Sequence, residues 1–116
     1  MRAWSIVLAL GAVGCDVLPG KEDRVEQILA LEGDPEQGQE VYATSCVECH
    51  RESGLGEADP DDPGIGESLQ EALGEGDEEL VEVVLHGKEE MPAFEDVLTD
   101  QQIADVLAYV HEGLFP

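Results

Sequence analysis

The sequence predicts an all-α fold, a single small helical domain. Three observations carry that reading. Apolar residues recur at helical spacing in several segments, while no segment sustains the period-two alternation of a half-buried strand. Clusters of Gly, Pro and Asp separate those segments. The 116 residues include only two Tyr, two Phe and one Trp, too few large side chains to fill an interior unaided, so the domain needs something else to complete its core.

The elements follow in order. Residues 1–14 read as an export signal, with Arg2 as a minimal charged start and a largely apolar run from Ala3 to Val13 that is too short to span a bilayer. Ala12-Val13-Gly14-Cys15 resembles the bacterial lipobox, in which cleavage leaves the cysteine as a lipidated N-terminus; alanine replaces the usual leucine at its first position. Residues 15–33 are expected to form a lipid-anchored tether, carrying a short helix over Val25 to Leu31, where Val25, Ile28 and Leu29 fall at i, i+3 and i+4. The core domain is expected over residues 34–116. Asp34 caps its first helix, Pro35 takes the first helical position, and the helix runs to about Ser45. From Glu52 to Gly66 the chain is dense in Gly, Pro, Asp and Glu, an irregular loop long enough to need an object to wrap. Short helical pieces follow near Ser68 to Leu73 and over about Asp77 to Leu85, the second with Leu80, Val81, Val84 and Leu85 inward. Thr99 and Gln102 form a capping box for the last helix, whose Ile103, Val106, Leu107 and Val110 share one face up to about Glu112-Gly113.

The first helix ends in Cys46-Val47-Glu48-Cys49-His50. Two cysteines two residues apart with a histidine directly behind them read as a covalent c-type haem site. Within one turn of chain the thiols of Cys46 and Cys49 can reach the two vinyl groups of a haem edge, while His50 turns an imidazole nitrogen toward the iron. A thioredoxin-like Cys-x-x-Cys would open a helix in a strand-rich βαβ sequence, and a zinc site would need a second Cys/His pair. The sequence offers neither. Haem would also supply the missing core. With Cys15 lipidated and Cys46 and Cys49 in thioether bonds, all three cysteines are used. Export and haem attachment agree, because c-type haem is attached on the outer side of the bacterial cytoplasmic membrane.

Charge narrows the partners. The chain holds 28 Asp and Glu against 5 Lys and Arg, a formal net charge of −23. Nucleic acid and anionic lipid headgroups are excluded as partners by repulsion. Two readings of the acidity remain open: steering toward a basic docking face on a redox protein, or adaptation to a salty habitat. A monomer is expected.

In order and type, residues 34–116 resemble a class I c-type cytochrome. The carriers of that resemblance are Gly38 and Tyr42 on the first helix, the haem motif, a proline-bearing loop, Gly87-Lys88-Glu89-Glu90-Met91-Pro92-Ala93-Phe94, and a last helix with Tyr109. The resemblance implies an all-α, cytochrome c-like domain packed around one haem c, in which Gly38, Tyr42 and Tyr109 sit where the first and last helices cross. It implies His50 and Met91 as axial ligands of the iron, and the carbonyl of Pro63 as acceptor for the ring N–H of His50, with Pro60 as its rival. His86 and His111 are rival ligands, although each ends a predicted helix, where a histidine serves the helix dipole. Arg51 departs from the family pattern; it would pair with a propionate or stand in solvent. The function implied is electron transfer, not enzymatic catalysis. The alternative is a haem sensor whose Met91 dissociates to admit a small ligand, and a haem-free thiol-redox domain is the third reading.

Overall fold

The computed structural model describes residues 21–116. The export segment 1–14 and the lipidation candidate Cys15 lie outside these described residues. Helices α1 (Lys21–Leu29), α2 (Pro35–Ser45), α3 (Val47–His50), α4 (Leu69–Ala72), α5 (Asp77–His86) and α6 (Asp100–Tyr109) follow in chain order. Single tight turns cover Gly56–Ala58 and Leu73–Glu75, and α6 widens into a π-helical turn over Val110–Leu114. Among the described residues there is no strand, only an isolated bridge between Lys88 and Met91.

Local chemistry explains the helix starts. Asp34 caps α2 by accepting the Glu36 N–H at 2.9 Å, with Pro35 at the first position. Ser68 caps α4 through the Glu71 N–H. Thr99 and Gln102 close their capping box on α6, at 2.9 and 3.1 Å.

Helices α2 and α6 cross at the centre of the domain. A Cβ on Gly38 would collide with the Asp105 carbonyl and meet the Tyr109 Cβ at 2.9 Å, so this crossing is as close as two backbones allow. Tyr42 and Tyr109 meet beside it, ring centroids 5.5 Å apart and planes tilted by 53°. Buried Asp105 accepts the Asp34 N–H at 2.8 Å and a Gln101 N–H at 2.8 Å, which ties the start of α2 to α6.

The tether expected over residues 15–33 needs correcting in its described part, from residue 21 on. Its helix is present as α1, yet it belongs to the core: Val25 and Ile28 are 2% and 1% exposed and cluster with Val81, Leu85, Leu98, Ile103 and Ala104. The charged run Lys21-Glu22-Asp23-Arg24 suggested a solvated linker, whereas the apolar pair on its inner face decides the outcome. Full burial of a Val or Ile is worth roughly 1.5–3 kcal/mol.

Candidate functional site

The last turn of α2 hands the chain directly to the cysteine motif. Cys46 N–H donates to the Tyr42 carbonyl at 2.9 Å and His50 N–H to the Cys46 carbonyl at 3.0 Å, so Cys46, Cys49 and His50 share one helical turn. All three line a cavity of about 780 Å³. Its apolar wall comes from Leu80, Val81 and Val84 on α5 and from Ile103, Val106 and Leu107 on α6. The loop after α5 adds Met91, Pro92 and Phe94.

The acidic loop folds back behind His50. Gly66 N–H donates to the Cys49 carbonyl at 2.9 Å, Glu57 N–H to the Gly66 carbonyl at 2.7 Å, and Gly64 N–H to the Gly56 carbonyl at 2.9 Å. At Gly66 the chain passes so near the imidazole that a Cβ would lie 2.8 Å from both Cε1 and Nδ1. The carbonyl that faces the ring belongs to Glu67, 2.8 Å from His50 Nδ1. A carbonyl only accepts, so Nδ1 carries the proton and Nε2 keeps its lone pair for a metal. Pro63 was the expected acceptor, and this is a correction: its carbonyl is turned to Arg51, accepting from Nη2 at 3.3 Å.

Arg51 is not a free solvated side chain. Its Nη1 donates to the Glu48 carbonyl at 2.9 Å, and its Nε lies 3.7 Å from Asp62 Oδ2, so it staples the haem-motif turn to the loop. Its backbone has φ +67°, a region that side-chain-bearing residues rarely adopt, at a cost of about 1–3 kcal/mol. Tyr42 helps hold it there by donating its hydroxyl to the Arg51 carbonyl at 2.5 Å. Sequence reasoning missed these contacts, although a large residue directly after the motif was visible as a departure. His86 and His111 do not line the cavity; His86 pairs with Glu82 at 3.0 Å and His111 with Asp77 at 2.8 Å.

A histidine with one nitrogen committed and the other available, two neighbouring thiols and an apolar chamber suit a haem bound through thioethers. A family model described as cytochrome c oxidase, cbb3-type, subunit III matches residues 33–110. The chain belongs to this family of class I c-type cytochromes. The cytochrome is 38% identical over 82 residues to cytochrome c6 of Thermosynechococcus vestitus, covering 70% of this chain and 71% of that one. It is also 38% identical over 74 residues to cytochrome c6 of Parathermosynechococcus lividus, covering 63% of this chain and 83% of that one. The solved structure of cytochrome c6 from the diatom Phaeodactylum tricornutum superposes with a TM-score of 0.53 at 30% identity, over 71% of this chain and 95% of that one. As a cytochrome of this kind the protein is an electron carrier, not an enzyme, and holds one haem c through Cys46 and Cys49.

Before the thioethers form, burial, and after it the neighbouring Cys49, pushes the Cys46 thiol up to about 11. The thiol is therefore protonated at neutral pH and a poor spontaneous nucleophile. Burial is also the main cause that holds the Tyr42 phenol well above the ordinary tyrosine value, with Cys46 and Tyr109 adding to it. An unfolded chain would ionise this phenol near pH ~10 while the folded one keeps its proton. The folded state then binds more protons, so stability falls as pH rises above about 10. Tyr42→Phe should cost about 1–3 kcal/mol at neutral pH by leaving the Arg51 carbonyl without its donor, and should flatten the alkaline loss. Denaturant midpoints of both proteins across pH 8 to about 11.5 check this; parallel pH profiles would contradict it.

Proposed function

We propose that this cytochrome carries electrons with His50 and Met91 as the axial pair of its haem iron, on the outer side of the bacterial cytoplasmic membrane, held there by a lipid on Cys15. The observation that supports the axial pair is that His50 and Met91, far apart in sequence, line the same cavity. Met91 is the one methionine besides Met1. Its backbone is fixed by paired bonds with Lys88, at 2.9 and 3.1 Å, across a tight turn with Glu89 at φ +55°. Haem supplies a metal centre that changes by one electron and takes imidazole and thioether as ligands. The chain does the rest: the Glu67 carbonyl keeps His50 in one tautomer and orientation, the Lys88 turn presents Met91, and the α5 and α6 wall excludes water. Two ligands held from rigid backbone keep rearrangement small when charge changes.

The mouth of the cavity supports a docking role for the acidic charge. Glu48, Glu57, Glu67, Glu75, Glu89 and Glu90 are all exposed cavity residues, with Lys88 as the one cation among the lining. A basic redox protein would be drawn to this rim. No helix among the described residues is long and apolar enough to cross a membrane. Six positions separate Cys15 from Lys21, where α1 begins (21 − 15); that length of chain reaches at most about 20 Å, which would hold the carrier close to the bilayer surface.

Met91→Ala should leave the haem attached, abolish the iron–sulfur charge-transfer band and lower the reduction potential; an unchanged spectrum removes Met91 as ligand. Cys15→Ala should move the protein from the membrane fraction to the soluble one, and undiminished membrane binding would refute the anchor. Electron-transfer rates with a basic partner should fall steeply as the Debye length shrinks from about 30 Å at 0.01 M salt to about 8 Å at 0.15 M. A rate indifferent to salt would leave the acidic rim without a docking role.

A further inference from the structure

Helix α1 lies outside the segment 33–110 that the family model covers, yet besides packing on α5 and α6 it grips the chain that leads from Met91 to α6. The guanidinium fork of Arg24 donates Nη1 to the Glu95 carbonyl at 2.9 Å, Nη2 to the Leu98 carbonyl at 3.3 Å and Nε to Asp100 Oδ1 at 2.7 Å. Beneath the fork, Val25 and Ile28 belong to the same buried cluster as Leu98.

The same chain is gripped from its other side by α5. Phe94 N–H donates to the Val84 carbonyl at 2.9 Å and Glu95 N–H to the Leu85 carbonyl at 3.2 Å. Glu95 thus has its N–H bound to α5 and its carbonyl bound to α1. Met91's own backbone bonds both go to Lys88, within its turn. Downstream of Met91, the backbone therefore takes hold of the domain at Phe94 and Glu95, where Arg24 closes the outer side.

We infer that α1 is a brace for the methionine loop and that Arg24 is the positioning residue through which it acts, holding residues 95–100 in place so that Met91 keeps its position against a competing ligand. The inference rests on Met91 being an axial ligand. A planar fork suits three acceptors spread along one turn of chain, a geometry that the point charge of a lysine cannot reproduce.

Competition by imidazole tests this directly. Ferric holoprotein is titrated with imidazole while the main haem absorption band is followed, with the iron–sulfur band as a second readout where Met91 is present, for wild type, Arg24→Gln and Arg24→Lys, and each substitution is repeated in the Met91→Ala background. Loss of the fork should make imidazole bind about ten-fold more tightly in Arg24→Gln, in line with the usual worth of charge-assisted hydrogen bonds, and Arg24→Lys should restore only part of the difference. With Met91 absent, Arg24→Gln should change imidazole affinity by less than about two-fold, because the coupling runs through the methionine. Equal affinities in wild type and Arg24→Gln overturn the inference, even if denaturant unfolding shows lowered stability, since that outcome marks a merely structural contact. An equal gain in the Met91→Ala background also overturns it, because the fork would then be closing the cavity in general. Failure of the ligand reading has its own signature: Met91→Ala would keep the wild-type band and imidazole affinity, and the brace would fall with it. Should Arg24→Gln not fold, Arg24→Lys alone carries the comparison, with unchanged affinity counting against the brace.

Discussion

The packing of one large flat group against the α5 and α6 wall is the interaction on which the rest of this cytochrome depends. Unfilled, a chamber of about 780 Å³ would leave its apolar wall without packing partners and in contact with water. A small domain has only roughly 5–15 kcal/mol of net stability. The haem held by Cys46 and Cys49 is therefore part of the core as much as a redox centre. The arrangement around it follows from that need: Gly38 lets α2 and α6 close on each other, and the glycine-rich loop brings the Gly66 N–H to the Cys49 carbonyl and the Glu67 carbonyl to His50 from behind.

Electrostatics divides the molecule in two. The interior round the haem site is apolar, with the phenol of Tyr42 and the thiol of Cys46 both favouring their neutral forms. Glutamates gather at the cavity mouth instead, in a chain whose formal net charge is −23. Under the proposed docking role, charge at the rim would act on the approach of a partner, where water screens it, while the proposed ligands and their hydrogen-bond partners inside would govern the iron.

Much of the fold was legible because its signals are local. Asp34 with Pro35 and Thr99 with Gln102 each mark a helix start within three or four residues, and each caps where expected. The attachment site was legible for the same reason, since Cys46, Cys49 and His50 occupy one turn. What was misread depends on tertiary contact. A backbone carbonyl has no sequence signature, so the choice between Pro63 and Glu67 as partner of His50 is made by how closely Gly66 lets the chain pass the ring. The docking of α1 was hidden by its charges; Val25 and Ile28 are apolar enough to bury, but only the surface offered by Leu85, Leu98 and Ile103 makes them do so. Arg24 likewise read as part of a solvated linker, and Arg51 as solvated or paired with a propionate, until their acceptors, backbone carbonyls and nearby carboxylates, come into view.

The claim that haem completes the core is tested most directly by comparing holoprotein with the same chain made without haem attachment, through near-ultraviolet circular dichroism and denaturant unfolding. The account predicts that the haem-free chain has lost the near-ultraviolet signal of Tyr42 and Tyr109 and shows no cooperative transition. A sharp transition in the haem-free chain, with a denaturant slope equal to that of the holoprotein, would contradict it.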